Sequence, residues 1–514
     1  MKIVGGAPAR MLGRKTGLKA SCLAVTVAAL LGLAGCKMGT KYQKPQMLAP
    51  DAYKEATSSE DWKPANPQDA MLRGKWWEVF NQPELNQLEE QLNINNQNIA
   101  LYFQNFVAAR AQVAQARASY WPTLTVGISG SRSRTPAMQS TTTASGIATT
   151  TNSFQLPASI SWEPDLFGRI RNEVKEYSAA AQVSAADLEN ERLTEQASLA
   201  EYYFQLRGQD ALRDLYRQTV ANYQQTLDLT RARQETGLVS EEDVVSADAN
   251  LKAAQASATA LDNTRAQYEH AIALLIGKPA SQFSLPDRAL IVEALVIPTG
   301  LPSQLLERRP DIAASERAVA ETNALIGVGR AAFFPSLSIT TTGGTESPTW
   351  SNLGNWNNRY WSLGPSLSQT VFDGGKNKAV LAQYRAQYDA NVATYRQTVL
   401  NAMKEVEDYL ASVRLLSTQI RQQDEAIASA QRYYDLANAR YETGLDTYLN
   451  VLTAQSTLLS DRQAVITLRV NRITSSVELI QALGGGWDAS QLPTNAQLKH
   501  NEKISGNSNA TGVR

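Results

Sequence analysis

Hydrophobic positions along this chain change period at matching places in its two halves. Between 85 and 119, Leu85, Leu88, Leu92, Ile99 and Phe103 recur at helical spacing. Pro122 cannot continue a helix, and beyond it the period drops to two. Leu124, Val126 and Ile128 alternate with small polar residues, and Phe154, Leu156, Ala158, Ile160 and Trp162 do so again after a Ser/Thr/Ala-rich loop at about 131–152. The second half repeats the change with Leu337 and Ile339, a Gly/Asn/Trp loop at 343–360, then Trp361, Leu363, Leu367 and Val371. Two long segments follow, Gly168 to Thr236 and Lys376 to Thr443, free of proline and with Gly208 the one interior glycine. At 1.5 Å per residue each predicts a helix of roughly 100 Å, beyond ordinary globular lengths.

In the second long segment, Tyr388, Val392, Tyr395, Val399, Ala402, Val406, Tyr409, Val413, Leu416 and Ile420 keep 4-3 spacing, continued by Ile427, Ala430, Tyr434, Ala437 and Tyr441. That is a coiled-coil seam. A self-comparison shows that the chain is duplicated. Arg233-Gln-Glu-Thr-Gly-Leu238 recurs as Arg440-Tyr-Glu-Thr-Gly-Leu445, displaced by 207 residues. Arg117-Ala-Ser-Tyr-Trp-Pro-Thr-Leu124 likewise matches Arg330-Ala-Ala-Phe-Phe-Pro-Ser-Leu337, and Gly277 matches Gly484. Shared Ala and Gln would follow from helix composition alone, but shared Gly, Pro and aromatic positions do not. The organisation predicted is a first repeat at 85–284 with a strand pair at 122–165, a linker at 285–301, and a second repeat at 302–486 with a strand pair at 335–372. Residues 36–84 form an N-terminal segment and 487–514 a polar tail.

The N-terminus changes the compartment. Residues 1–35 hold five basic and no acidic side chains, followed by an apolar run from Cys22 to Ala34, the pattern of a secretory signal. It ends Leu33-Ala34-Gly35-Cys36, which resembles a lipobox, so Cys36 is expected to carry a covalent lipid. Lys37 in place of Asp implies sorting to the outer membrane. Removing the signal leaves 479 residues with 44 basic and 49 acidic side chains, a balance that argues against a nucleic-acid partner. Cys22 leaves with the signal, so disulfides are excluded from the mature chain. His270 and His500 are the only histidines, and no Walker motif, nucleophile elbow or dinucleotide fingerprint is present. Neither a metal nor a cofactor is expected.

Strands with one apolar and one small polar face suit lipid on one side and water on the other. Aromatic residues mark their ends: Trp121, Trp162, Phe334 and Phe372 next to the helices, and Trp361 with Trp350 and Trp356 toward the second loop. Four strands cannot close a barrel, and an open edge in lipid leaves backbone groups unsatisfied, so such a chain must oligomerise. Three copies would give twelve strands and a lumen. The object implied is a conduit.

The residues that carry a family resemblance are Cys36-Lys-Met-Gly-Thr-Lys-Tyr-Gln-Lys-Pro45, Trp76-Trp77, Leu301-Pro-Ser-Gln-Leu-Leu-Glu-Arg-Arg-Pro-Asp-Ile312, Ala331-Ala-Phe-Phe-Pro335 and Tyr441-Glu-Thr-Gly-Leu445. The chain resembles the TolC-like outer-membrane efflux factors, lipoprotein subgroup, serving resistance-nodulation-division (RND) drug pumps. The resemblance implies a mainly α fold with β: a trimeric twelve-stranded outer-membrane β-barrel continuous with a long periplasmic α-helical coiled-coil barrel and a mixed α/β equatorial belt. Its implied partners are two further copies, a periplasmic adaptor (membrane fusion) protein, an inner-membrane RND-type transporter and outer-membrane lipid. The turns at Gly237-Leu238 and Gly444-Leu445 would be the periplasmic tip where the adaptor docks. By resemblance, Asp243 and Tyr441 would hold that mouth closed by a bond between them. Asp446 stands where some members carry Arg, and Thr453 where many carry an acidic lumen ring; the run Glu241-Glu242-Asp243 is either a substitute for that ring or a solvated charge run. Rival readings were an adaptor lipoprotein, which would lack the duplicated strand pairs, and an envelope coiled coil, which would not need them.

Overall fold

The computed structural model describes residues 39, 41–47, 50, 52–55, 74–136, 148–288 and 305–499. The signal, Cys36, His500, residues 289–301 of the linker and the last part of the tail lie outside them. The helices are α1 (Pro83–Asn95), α2 (Gln97–Ala118), α3 (Arg169–Glu235) and α4 (Glu241–Leu275), then α5 (Leu305–Arg308), α6 (Pro310–Ala331), α7 (Lys376–Glu442) and α8 (Tyr448–Ala482). The strands are β1 (Thr123–Val126), β2 (Ser129–Thr135), β3 (Thr149–Trp162), β4 (Ser336–Ser347) and β5 (Arg359–Ser368). Both long helices have 67 residues, and both hairpin partners have 35, so the duplication holds to the residue in length.

The chain forms two compact units. The first contains Ala111–Ser178 and Ala320–Asp389, hence every strand. Its sheet is antiparallel throughout, in the order β1-β3-β4-β5, with β2 also on β3. β1 and β2 keep one register against β3, pairing Val126 with Ala158 and Ser129 with Gln155. The break between them lies opposite Pro157. Gly127 donates its N–H to the Pro157 carbonyl at 2.9 Å, but proline has no N–H to return. The expected single strand is therefore one strand with a lapsed rung, and it is longer than expected: β2 and β3 pair on into both ends of the 131–152 stretch, as far as Thr135 and Thr149. Where a loop was expected from 343, β4 instead continues through Gly343 and Gly344, paired with Trp361 and Tyr360, to Ser347. A Cβ on Gly344 would run into the Leu156 carbonyl, so this glycine marks a close strand approach and not a turn.

The second unit holds the helical hairpins. The expected seam of α7 is buried at Tyr395, Val399, Ala402, Val406, Val413, Ile420, Ala430, Ala437 and Tyr441. Tyr409 is not in it; Leu410 is buried instead. A straight helix drifts from a strict seven-residue repeat, and one step of the pattern moves over by a residue. The helix expected at 85–119 is broken at Asn96, whose ψ of 126° is extended. Its side-chain oxygen accepts the N–H groups of Asn98 (2.8 Å) and Ile99 (3.0 Å), a helix cap that restarts the chain as α2.

The second repeat breaks at the corresponding place, between α5 and α6, with Arg309. Asn96 donates to the Leu275 carbonyl (3.0 Å) and Arg309 to the Ala482 carbonyl (3.1 Å), which are again 207 residues apart and end the two returning helices. Each also reaches a glutamate on the long helix of its own repeat, Glu195 (3.1 Å) and Glu405 (2.7 Å). Pro310 opens α6, and Arg309 just before it ties the helix start to its neighbours. Just beyond, Gly277 and Gly484 both have positive φ, and a Cβ on either would meet a backbone carbonyl, Asn95 or Arg308.

Both polar extensions prove partly structural. Tyr53 is buried, and the N–H groups of Lys54 and Glu55 donate to the Glu407 carboxylate at 2.8 and 3.0 Å. At the other end Trp487 packs with Ala186, Ala313 and Ala314, and Gln182 holds the Pro493 carbonyl at 2.9 Å.

Glu89 of α1 is fully buried, and neither of its carboxylate oxygens has a hydrogen-bond partner. Burial pushes its pKa well above the carboxylate range. A folded-state pKa above the unfolded one means that stability is present at low pH and falls as pH rises. Glu89→Leu should therefore stabilise the protein at pH 8 by about 1–3 kcal/mol. In thermal unfolding in detergent the gain should shrink toward pH 4; an equal gain at both pH values would contradict the buried, uncompensated carboxyl.

Candidate functional site

Two regions carry the expected functional residues, and they lie in different units. In the sheet, pairing puts residues of one row on one face. Leu124, Ile160, Thr341 and Leu363 form one row, and Val126, Ala158, Gly343 and Trp361 the next. Trp162, Ile339 and Pro365 extend the same face. Leu124, Ile160, Trp361 and Leu363 are all exposed, Leu363 by 63%. Thr341 is the polar intruder, and its hydroxyl is satisfied by the Ser362 carbonyl at 3.0 Å.

The opposite face is Thr125, Ser159, Thr342 and Ser362 in one row and Thr123, Ser161, Thr340 and Gly364 in another. Ser159 and Thr342 hydroxyls lie 3.3 Å apart across the strands. Over the helix-side half of the sheet one face is mainly apolar and uncovered and the other mainly hydroxylated; toward the loops the apolar face gives way to Arg132, Arg134 and Arg359. The sheet order leaves β1 and β2 on one edge and β5 on the other.

Trp121, Trp162, Phe334 and Phe372 lie at the helix side of this sheet, Trp361 lies within β5, and Trp350 and Trp356 lie in the connection between β4 and β5. Trp121 and Phe372 are strongly exposed. The Trp162 indole N–H donates to the Tyr120 carbonyl at 3.0 Å, so an exposed apolar ring keeps its polar atom satisfied. Phe334 stacks on Phe167 with ring centroids 5.0 Å apart. Among the described residues, no helix is long and apolar enough to cross a membrane.

In the second unit, the ends of the hairpins share one core of Tyr223, Leu227, Ala247, Leu251, Tyr441, Tyr448 and Val451. Both turns are built alike. Gly237 and Gly444 take φ of 74° and 76°, open only to glycine at low cost. Leu238 donates to the Arg233 carbonyl (2.9 Å) and Leu445 to that of Arg440 (2.8 Å), closing a Schellman motif in each case. Leu238 and Leu445 are left 75% and 73% exposed, an apolar pair at matching positions.

The expected bond between Asp243 and Tyr441 is not made within the chain. Asp243 is the third residue of α4, and its carboxylate accepts from the Ser240 N–H (3.1 Å) and hydroxyl (2.9 Å) in a capping box. Tyr441 is 3% exposed, with its hydroxyl buried and unpartnered. Glu241, Glu242 and Asp243 form the first turn of α4, where negative charge meets the positive helix end. Asp446 pairs with Arg440 at 3.3 Å. The Asn450 amide first, and the Thr447 N–H next, hold its carboxyl below the usual range. Thr453 is exposed and donates to the Leu449 carbonyl at 2.8 Å.

The residue missed by sequence reasoning is Arg233. Its guanidinium donates to the carbonyls of Tyr441 and Glu442, each at 3.0 Å, and lies 4.5 Å over the Tyr441 ring. The signal was present, since Arg opens both copies of the repeated hexapeptide.

Comparison with known proteins agrees with this geometry. The family described as outer membrane efflux protein matches residues 88–278 and 301–485. The chain is 33% identical over 470 residues to the probable efflux pump outer membrane protein TtgC of Pseudomonas putida, covering 91% of this chain and 96% of that protein. The antibiotic efflux pump outer membrane protein ArpC of Pseudomonas putida is similar to the same extent, 33% over 470 residues. The solved structure of the outer-membrane channel OprN superposes with a TM-score of 0.81 at 29% identity, covering 87% of this chain and 99% of that one. The chain belongs to the outer membrane efflux protein family, and it is an outer-membrane channel component of an efflux pump, not an enzyme.

Proposed function

We propose that three copies of this chain close their sheets into one twelve-stranded barrel, a passive exit duct for small molecules expelled by a pump. The observation that carries this reading is the two-faced sheet with two open edges. In lipid, each unpaired edge N–H and C=O costs several kcal/mol, so the β1/β2 edge of one copy must meet the β5 edge of another. Two copies would make eight strands, whose interior fills with side chains; three leave a lumen lined by Ser and Thr. The apolar face with Leu124, Ile160 and Leu363 then meets the acyl chains.

In this reading a lipid on Cys36 adds an anchor to a protein the barrel already holds. The exposed Leu238 and Leu445 dock a periplasmic adaptor, which links the duct to an inner-membrane RND-type transporter. The energy comes from that transporter. A relative named for antibiotic efflux makes drug-like molecules the first cargo to try.

Three outcomes are expected. Mass measurement in mild detergent should give a trimer; a monomer or dimer would exclude the twelve-stranded barrel. Cys36→Ser should lose the lipid label but keep trimers in the outer membrane, and loss of both together would make the lipid essential to assembly. Leu363→Arg should block barrel assembly at a cost of about 2–4 kcal/mol per copy, whereas Thr342→Arg on the other face should assemble and lower conductance in planar bilayers. If Thr342→Arg blocks assembly while Leu363→Arg does not, the faces have been assigned the wrong way round.

A further inference from the structure

Arg233 and Arg440 occupy the same place in the two matching stretches, 207 residues apart, yet the structure uses them differently. Arg233, at the end of α3, crosses to the end of α7 and caps the carbonyls of Tyr441 and Glu442 at 3.0 Å. The last carbonyls of a helix lack intrahelical donors and sit at the negative end of its dipole, so a guanidinium fork fits them. Among the described residues Arg440 reaches no such helix end. It is 63% exposed and turns back to Asp446 in its own turn.

The duplication identifies what Arg440 would meet. The counterparts of Tyr441 and Glu442 are Gln234 and Glu235, at the end of α3. The Gln234 carbonyl accepts from Gly237 at 2.8 Å as the Tyr441 carbonyl accepts from Gly444 at 3.0 Å, so both keep a second lone pair for an outside donor. Within one chain, a repeat-one hairpin lies against a repeat-two hairpin at one seam. When copies follow one another around a ring, a second seam arises in which repeat two of one copy lies against repeat one of the next.

We propose that Arg440 of each copy clasps the C-terminal carbonyls of Gln234 and Glu235 on the next copy, with Asp446 as the competing anion that holds it when that seam is loose. This rests on the trimer reading above. The two seams are chemically unequal. Val239 stands where Asp446 stands in the second turn, so Arg233 has no carboxylate at that place to compete for it. Gln234 stands where Tyr441 stands, so the clasp between copies lacks the aromatic face over which Arg233 lies. The clasp inside each copy is fixed, and the clasp between copies is exchangeable. The three seams between copies are therefore the ones that yield first when the tip widens.

Arg440→Ala and Asp446→Asn remove the same pair within the turn, but only the first removes the clasp. The asparagine oxygen can still accept from Thr447 and Asn450. Trimer dissociation in detergent should accelerate roughly tenfold in Arg440→Ala, consistent with loss of a charged hydrogen bond. It should slow in Asp446→Asn, and Arg440→Lys, a cation without the fork, should fall between wild type and Arg440→Ala. If Arg440→Ala and Asp446→Asn shift dissociation in the same direction, Arg440 only staples its own turn and the clasp is refuted. A wild-type protein already monomeric in that detergent would instead overturn the trimer reading, and the clasp with it.

Discussion

The constraint on which the structure depends is that every backbone polar group in lipid must find a partner inside protein. The sheet satisfies it internally for β3 and β4 and leaves β1, β2 and β5 with one free side each. Its apolar face is uncovered and its other face is hydroxylated. A soluble protein would cover such a face or break it with charge. Here the apolar part stays uncovered and charge enters only toward the loops, at Arg132, Arg134 and Arg359; in the proposed reading the missing partners are other copies of the chain. Even Pro157, which interrupts pairing with Gly127, sits on an inner strand where it costs a single rung and leaves the register intact.

Duplication is the second organising fact. It supplies two strand pairs, two 67-residue helices and two identical Schellman turns. The breaks at Asn96 and Arg309 show the same contact made with different chemistry, an amide in one repeat and a guanidinium in the other. Both tie the start of a repeat to the end of its returning helix and to its long helix, so each repeat is closed on itself before it packs on the other.

Much of this was legible in the sequence. Period-two alternation located the helix-side halves of the strands, because there the two faces differ in polarity; it missed the extension of β2 to Thr135 and the start of β3 at Thr149, where Arg132 and Arg134 take the apolar positions. The long helices were legible from the absence of Gly and Pro, and the turns from Gly237 and Gly444. The break at Asn96 was not, because the apolar spacing of Leu92 and Ile99 runs straight through it and the cap is a single asparagine. Gly343-Gly344 read as a loop because the close approach of Leu156 is a long-range fact. The gate was least legible. Distance from a turn fixes depth along a helix, whereas the direction of Tyr441 is set by the core it shares with Tyr448 and Leu251. Arg233 was visible as a repeated residue but not as a contact.

The central claim is that the outer sides of β1 and β5 are paired with other copies in the membrane. Residue-resolved amide hydrogen exchange of the protein in lipid bilayers tests it directly. The account predicts that outward-facing amides of β5, from Tyr360 to Leu367 with Pro365 excepted, are protected to the same degree as those of β4. Rapid exchange along that edge, with β4 protected, would show an open sheet and contradict the barrel.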